Sequence, residues 1–142
     1  MPAWLEFEPH MYGLPDLENR GFKVAFDVHG PQIDPDTDDR LVSPAILEGV
    51  RQYLQKRFPG LRHAPLLESR VCQYENSSNG DFLIDRHPDF GNVWLVGAGS
   101  GHGFKHGPAI GEYTAGLIGG QFAFENRFSL ATKLKNRQRS VF

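Results

Sequence analysis

From Gly97 to Pro108 the sequence reads GAGSGHGFKHGP, directly after the apolar run NVWLV. No other feature constrains the fold as strongly. Glycine adopts positive φ and lets other groups approach the backbone, at an entropic cost to folding. Five glycines in one short stretch therefore mark either a turn that other residues resist or a surface that a ligand touches. The residues that follow, PAIGEYTAGLIGG, have helical spacing at Ile110, Tyr113, Thr114, Leu117 and Ile118, with Gly119 and Gly120 as a stop. The unit is a strand, a glycine-rich turn and a helix. A helix start presents N–H groups without acceptors and a partial positive charge, to which Lys105 and His102 add. Two readings fit this spacing. One is a cradle for an anion or an electron-rich ring; the other is a tight strand–helix connection whose cations are incidental. A branched side chain at Gly103 is expected to resist positive φ and to block a ligand's approach. No G-x-G-x-x-G register fits Gly97, Gly99, Gly101, Gly103 and Gly107, so the stretch is not a dinucleotide fingerprint.

Other chemistries fit less well. His102 and His106 stand four apart, one face of a helix, but a zinc-protease pattern needs a glutamate where Gly103 stands, and Lys105 would repel a cation. Ser100 sits at a strand-to-helix turn, yet the nucleophile elbow needs glycines at the positions of Ala98 and His102. It reads as a turn residue. Asp34, Asp36 and Asp38 have calcium-loop spacing, but Asp39 and Ala45 occupy the positions that require glycine and glutamate. That segment reads as a capped, solvated turn.

The remaining chain is organised around a few local signals. MYGLPDL reads as a turn-punctuated segment. GFKVAFDVHG alternates, with Phe22, Val24, Phe26 and Val28 on one face and Lys23, Ala25, Asp27 and His29 on the other, which predicts a strand. In SPAILEGVRQYLQKRF, Ser43 is a cap, Pro44 suits the first helical position, and Ile46, Leu47, Val50, Tyr53 and Leu54 form a stripe. Pro59 and Gly60 end that helix. LLESRVCQY predicts a strand, NSSNG a turn, and DFLID and NVWLV two short strands. From Asn126 the periodicity is lost; a frayed, solvated terminus carrying Lys133, Lys135, Arg137 and Arg139 is expected.

Composition narrows the function classes. The 142 residues are 39% hydrophobic and 23% charged with a net charge of -2, which predicts a folded domain and no nucleic-acid partner. The lone cysteine, Cys72, excludes an internal disulfide. Neither a signal peptide nor a membrane span is expected, and a cytoplasmic location follows.

The segment CQYENSSNGDFLIDRHPDFGNVWLVGAGSGHGFKHGPAIGE resembles the C-terminal part of the flavin-dependent amine oxidases of the D-amino-acid-oxidase superfamily. The sarcosine oxidase and N-methyltryptophan oxidase group is the most similar type. That group carries a Cys-x-Tyr segment, an F-[IL]-I-D-x-H-P strand and SGHGFK at the turn into the last helix. GFKVAFDVHG followed by IDPDT matches its preceding strand and loop. The likeness covers roughly residues 12–120. It implies an α+β fold, the C-terminal portion of a two-domain flavoprotein oxidase. Residues 1–80 would be substrate-domain-like, 81–126 part of the FAD-binding domain, and 127–142 a tail. Such oxidases are longer chains with a G-x-G-x-x-G for the ADP half of FAD, which these residues lack.

The resemblance also implies roles. Backbone N–H groups of Gly101, His102, Gly103 and Phe104 would face the flavin ring, as an oxyanion hole faces developing charge. Lys105 would pair with a substrate carboxylate. Lys23 would face oxygen near flavin N5; otherwise it is a lysine on a solvated strand face. Cys72 would join the flavin by a thioether; otherwise it is a buried, inert thiol. Two positions depart from the pattern and bear on the substrate. Asp27 stands where a histidine is usual, with His29 further along the same face, and His106 replaces an aromatic residue. The implied function is FAD-dependent oxidation of an amine or amino acid by hydride transfer from the carbon next to nitrogen. The alternative is a non-catalytic remnant or assembly module that self-associates or needs a separate Rossmann half. A metal hydrolase built on His102 and His106 is a third, weaker reading.

Overall fold

The computed structural model describes residues 2–134. The chain forms two compact units, Met1–Val71 and Cys72–Phe142, and its fold class is α+β.

The first unit holds a three-stranded antiparallel sheet, β1 (Trp4–Glu6), β2 (Met11–Leu14) and β3 (Lys23–Phe26), in that order. β2 is the central strand, which corrects the reading of MYGL as a turn. Its sequence does not alternate, because both neighbours close around it: Met11 is fully buried, and a Cβ on Gly13 would lie 2.7 Å from the Lys23 carbonyl oxygen. β3 ends earlier than the alternation predicts. Phe26 pairs with Met11, the first residue of β2, and the Asp27 N–H makes a last bond to the His10 carbonyl at 2.7 Å. Val28 is exposed, and His29 lies beyond the strand rather than on its face.

The helix α1 (Pro44–Arg57) starts where its cap predicts, with the Ile46 N–H donating to Ser43 Oγ at 3.3 Å. Lys56 and Arg57 in its last turn complement the carbonyl end of the helix dipole. Leu47, Val50, Tyr53 and Leu54 are half-buried, whereas Ile46 is exposed. Trp4 lies 5.8 Å from the Tyr53 ring and 5.3 Å from Phe58, and Phe22 lies 5.1 Å from Phe58. These rings, with an ion pair between Arg57 and Glu6, tie the helix to the sheet. The acidic loop is the expected turn, with the Asp36 N–H donating to Asp34 Oδ1 at 2.9 Å. That bond holds the Asp34 carboxyl below its ordinary range.

In the second unit, β4 (Leu83–Arg86) and β5 (Trp94–Gly97) form an antiparallel pair with Ile84 opposite Val96. Ile84 is fully buried. A 3-10 turn over Phe104–His106 leads into α2 (Gly107–Ile118). Leu117 is buried, and Phe122 folds back so closely on Gly116 that no side chain fits there. The Glu125 N–H donates to the Tyr113 hydroxyl at 2.8 Å, and that hydroxyl donates to the Ala123 carbonyl at 3.1 Å.

Two expectations fail here. Leu66–Tyr74 is not a strand: no neighbouring strand pairs with it among the described residues, and a ladder needs a partner. Nor is the segment from Asn126 to Leu134 frayed. It forms 3-10 turns over Asn126–Phe128 and Leu130–Leu134. Arg127 pairs with Asp81 at 2.8 Å, the Leu130 N–H donates to Asp85 Oδ2 at 2.8 Å, and Lys133 Nζ donates to Asn79 Oδ1 at 3.1 Å. Specific partners, not periodicity, order this stretch. Lys135, Arg137 and Arg139 lie outside the described residues.

Candidate functional site

Immediately after β5 the backbone enters the left-handed region at Ala98 (φ 60°), Ser100 (φ 48°) and Gly101 (φ 81°). For Ala98 and Ser100 this costs about 1–2 kcal/mol each. The segment from Tyr74 to Ser77 supplies the compensation. Glu75 Oε2 accepts from the Ala98 N–H at 3.0 Å, and the Glu75 carbonyl accepts from the Ser100 N–H at 3.0 Å. The buried Ser100 hydroxyl donates to the Ala98 carbonyl and accepts from the Ser77 N–H, each at 3.3 Å. A net contribution of about 1 kcal/mol per bond, more for the carboxylate, is enough to offset the strain. Ser100 is thus a turn residue, as expected.

The glycines answer to the same packing. A Cβ on Gly97 would meet Glu75 Oε1 at 2.8 Å, and one on Gly101 would meet the Tyr74 ring at 2.6 Å. Gly103 corrects an expectation: its φ is −66°, so it needs no left-handed freedom. A Cβ there would instead sit 2.8 Å from the Gly99 Cα. The back of the stretch is therefore the tight connection that one reading requires.

Its front has the character of the other. The His102 N–H donates to the Gly99 carbonyl at 3.0 Å and the His106 N–H to the Gly103 carbonyl at 2.9 Å. Among the described residues no acceptor binds the N–H groups of Gly101, Gly103 or Phe104. Beside them Phe104 is 100% exposed, and His102 and Lys105 are exposed. His106 turns aside, its ring edge-on to Phe82 at 5.6 Å. His102 precedes the 3-10 turn, so the two histidines do not share a helix face. Among the described residues no group of three or more His, Cys, Asp or Glu side chains is placed to hold a metal, and no helix is long and apolar enough to cross a membrane.

Cys72 is an exposed free thiol, not the buried one that an inert role requires. It lies two residues before Tyr74, whose ring backs Gly101. Tyr74 entered the sequence reading only as the tyrosine of the Cys-x-Tyr segment, and Glu75 and Ser77 were not singled out; their signal was their place in CQYENS, just after that segment. Lys23 belongs to the first unit, where Nζ donates to Tyr12 Oη at 2.9 Å. His29, also in that unit, is exposed.

A family model for FAD-dependent oxidoreductases matches residues 1–117. The chain belongs to that family. It is 36% identical over 108 residues to monomeric sarcosine oxidase of Bacillus sp. (strain NS-129), covering 75% of this chain and 28% of the relative. It is 36% identical over 115 residues to peroxisomal sarcosine oxidase of Homo sapiens, covering 77% and 29%. The chain thus spans under a third of the length of these relatives. Among solved structures, amadoriase I from Aspergillus fumigatus matches with a TM-score of 0.67 at 20% identity, over 84% of this chain and 31% of that one. Fructosyl peptide oxidase from E. terrenum matches with a TM-score of 0.64 at 20% identity, over 84% and 33%. These two show a shared fold.

Proposed function

We propose that this chain supplies the ring-facing and substrate-facing part of an FAD-dependent oxidoreductase acting on amines or amino acids. The observation that carries this reading is the row of unpaired N–H groups at Gly101, Gly103 and Phe104, next to the exposed Lys105. Such donors fit the electron-rich edge of a flavin ring, and nothing needs to move to free them. When bound, the flavin supplies the hydride acceptor for a carbon bonded to an amine nitrogen. Lys105 binds and orients a substrate carboxylate. Lys23 holds positive charge where oxygen is reduced. The exposed Cys72 thiol is the attachment point for a covalent flavin. His29, past the end of β3, borders the substrate. In family terms, residues 1–80 belong to the substrate side, 81–126 to the FAD side and 127–142 to a tail.

No G-x-G-x-x-G lies in these residues, and a Rossmann segment carrying one would supply the grip on the FAD pyrophosphate. The test is to mix this chain with such a partner, the corresponding part of a sarcosine oxidase, and FAD. Visible flavin absorbance that co-purifies with both polypeptides supports the reading. The isolated chain should bind FAD only weakly, since ring contacts alone leave most of the ligand in water. Submicromolar affinity without the partner would overturn this division of labour.

The second reading, an assembly module without catalysis, is favoured by the fully exposed Phe104 and by a two-stranded β4–β5 sheet whose outer edges are unpaired among the described residues. Assembly with the partner but no flavin retention would select it.

A further inference from the structure

We propose that Tyr12 is the positioning residue for Lys23, fixing the direction in which its ammonium points. The inference rests on the role given to Lys23 above, but its geometry stands independently. In the β2–β3 register Leu14 faces Lys23 and Tyr12 faces Ala25. Tyr12 and Lys23 are therefore diagonal neighbours on one face of the sheet, within reach of long side chains. Lys23 Nζ donates to Tyr12 Oη at 2.9 Å and lies 4.7 Å from the centroid of the Tyr12 ring. One residue thus holds the ammonium in two ways, by an oxygen acceptor and by the ring face.

The difference in stiffness gives the pair its direction of control. Lys23 is exposed and its four-carbon stem samples many rotamers, whereas Tyr12 is half-buried on the central strand and has only two side-chain torsions. Tyr12 is the fixed point and Lys23 the group that is aimed. An ammonium has three N–H donors. Tyr12 takes one, and the others stay available to a second acceptor. For a cation whose task is to meet charge developing on a small molecule, a fixed direction removes the need to reorient during the reaction.

The test is amine acylation of the chain, with the rate at Lys23 read by peptide mass spectrometry against exposed Lys56 on α1 as internal reference. In the unaltered chain Lys23 should react about threefold to tenfold more slowly than Lys56. Tyr12→Phe, which keeps the ring and loses the oxygen, should remove part of that protection, and Tyr12→Leu should remove all of it. Unchanged protection in Tyr12→Phe overturns the proposal, and this isosteric variant decides alone if Tyr12→Leu unfolds. In the flavin-bearing assembly, Tyr12→Phe should slow reoxidation by oxygen several-fold and leave anaerobic reduction by substrate unchanged. Loss of protection with unaltered reoxidation would keep the contact and refute the oxygen-facing role of Lys23. Equal slowing of both half-reactions would show a general structural defect and overturn the positioning role.

Discussion

The Tyr74 ring fills the space that a side chain on Gly101 would take, with Cε2 2.6 Å from where the Cβ would stand. A residue two positions after the lone cysteine thereby sets the shape of a turn more than twenty positions later in the chain. Gly101 also holds a φ of 81°, so two independent costs fall on one substitution.

Gly101→Ala should therefore destabilise the chain by about 2–4 kcal/mol, the sum of backbone strain and overpacking. Urea unfolding measures it. Adding Tyr74→Leu should recover only the steric part, because the backbone cost remains. Gly107→Ala is the control: nothing lies within 4 Å of its added methyl, and stability should hold or rise slightly with helix propensity.

Glu75→Leu should leave the Ala98 N–H buried without an acceptor and cost about 1–3 kcal/mol. Hydrogen exchange separates the two contacts. The Ala98 amide, bonded to the side chain, should exchange much faster. The Ser100 amide, bonded to the Glu75 carbonyl, should change less. Equal acceleration at both would mean that the whole strip detaches, not one bond.

The Tyr53 hydroxyl is pushed up to about 12 by burial, with the nearby negative charge of Glu6 adding to it. A phenol whose folded pKa lies above its ordinary value near 10 binds its proton more tightly when folded. Its contribution to stability is complete below pH 10 and is lost as pH rises towards about 12. Absorbance titration should show a late phenol ionisation towards about pH 12, and Tyr53→Phe should abolish that step.

Lys105→Ala should leave unfolding unchanged, since the side chain is exposed. In the flavin-bearing assembly it should weaken a carboxylate-bearing substrate by about 1.5–3 kcal/mol, the worth of a charge-assisted bond, and affect FAD far less. Equilibrium titration of both ligands gives the comparison. Equal losses would assign the lysine to the cofactor.

What the sequence determined by itself was local. Ser43 and Pro44 start α1 because capping and a fixed φ act within one turn. The alternation of Lys23–Phe26 and the short apolar runs at β4 and β5 are read from neighbours in the chain. The SGHGFK stretch carries the family resemblance in six consecutive residues, so it is legible without the fold. What only the tertiary structure decided depends on partners distant in sequence. MYGL becomes a central strand because β1 and β3 flank it, and Leu66–Tyr74 stays irregular because nothing pairs with it. Asn126–Leu134 docks through Asp81, Asp85 and Asn79, contacts that carry no periodicity. Gly103 is required by Gly99 and not by its own φ. Tyr12 meets Lys23, and Glu75 meets Ala98, only after register and turn have formed. Periodicity and capping report the energy of a segment by itself; strand pairing, docking and side-chain positioning are energies between segments, and they exist only once the chain has folded.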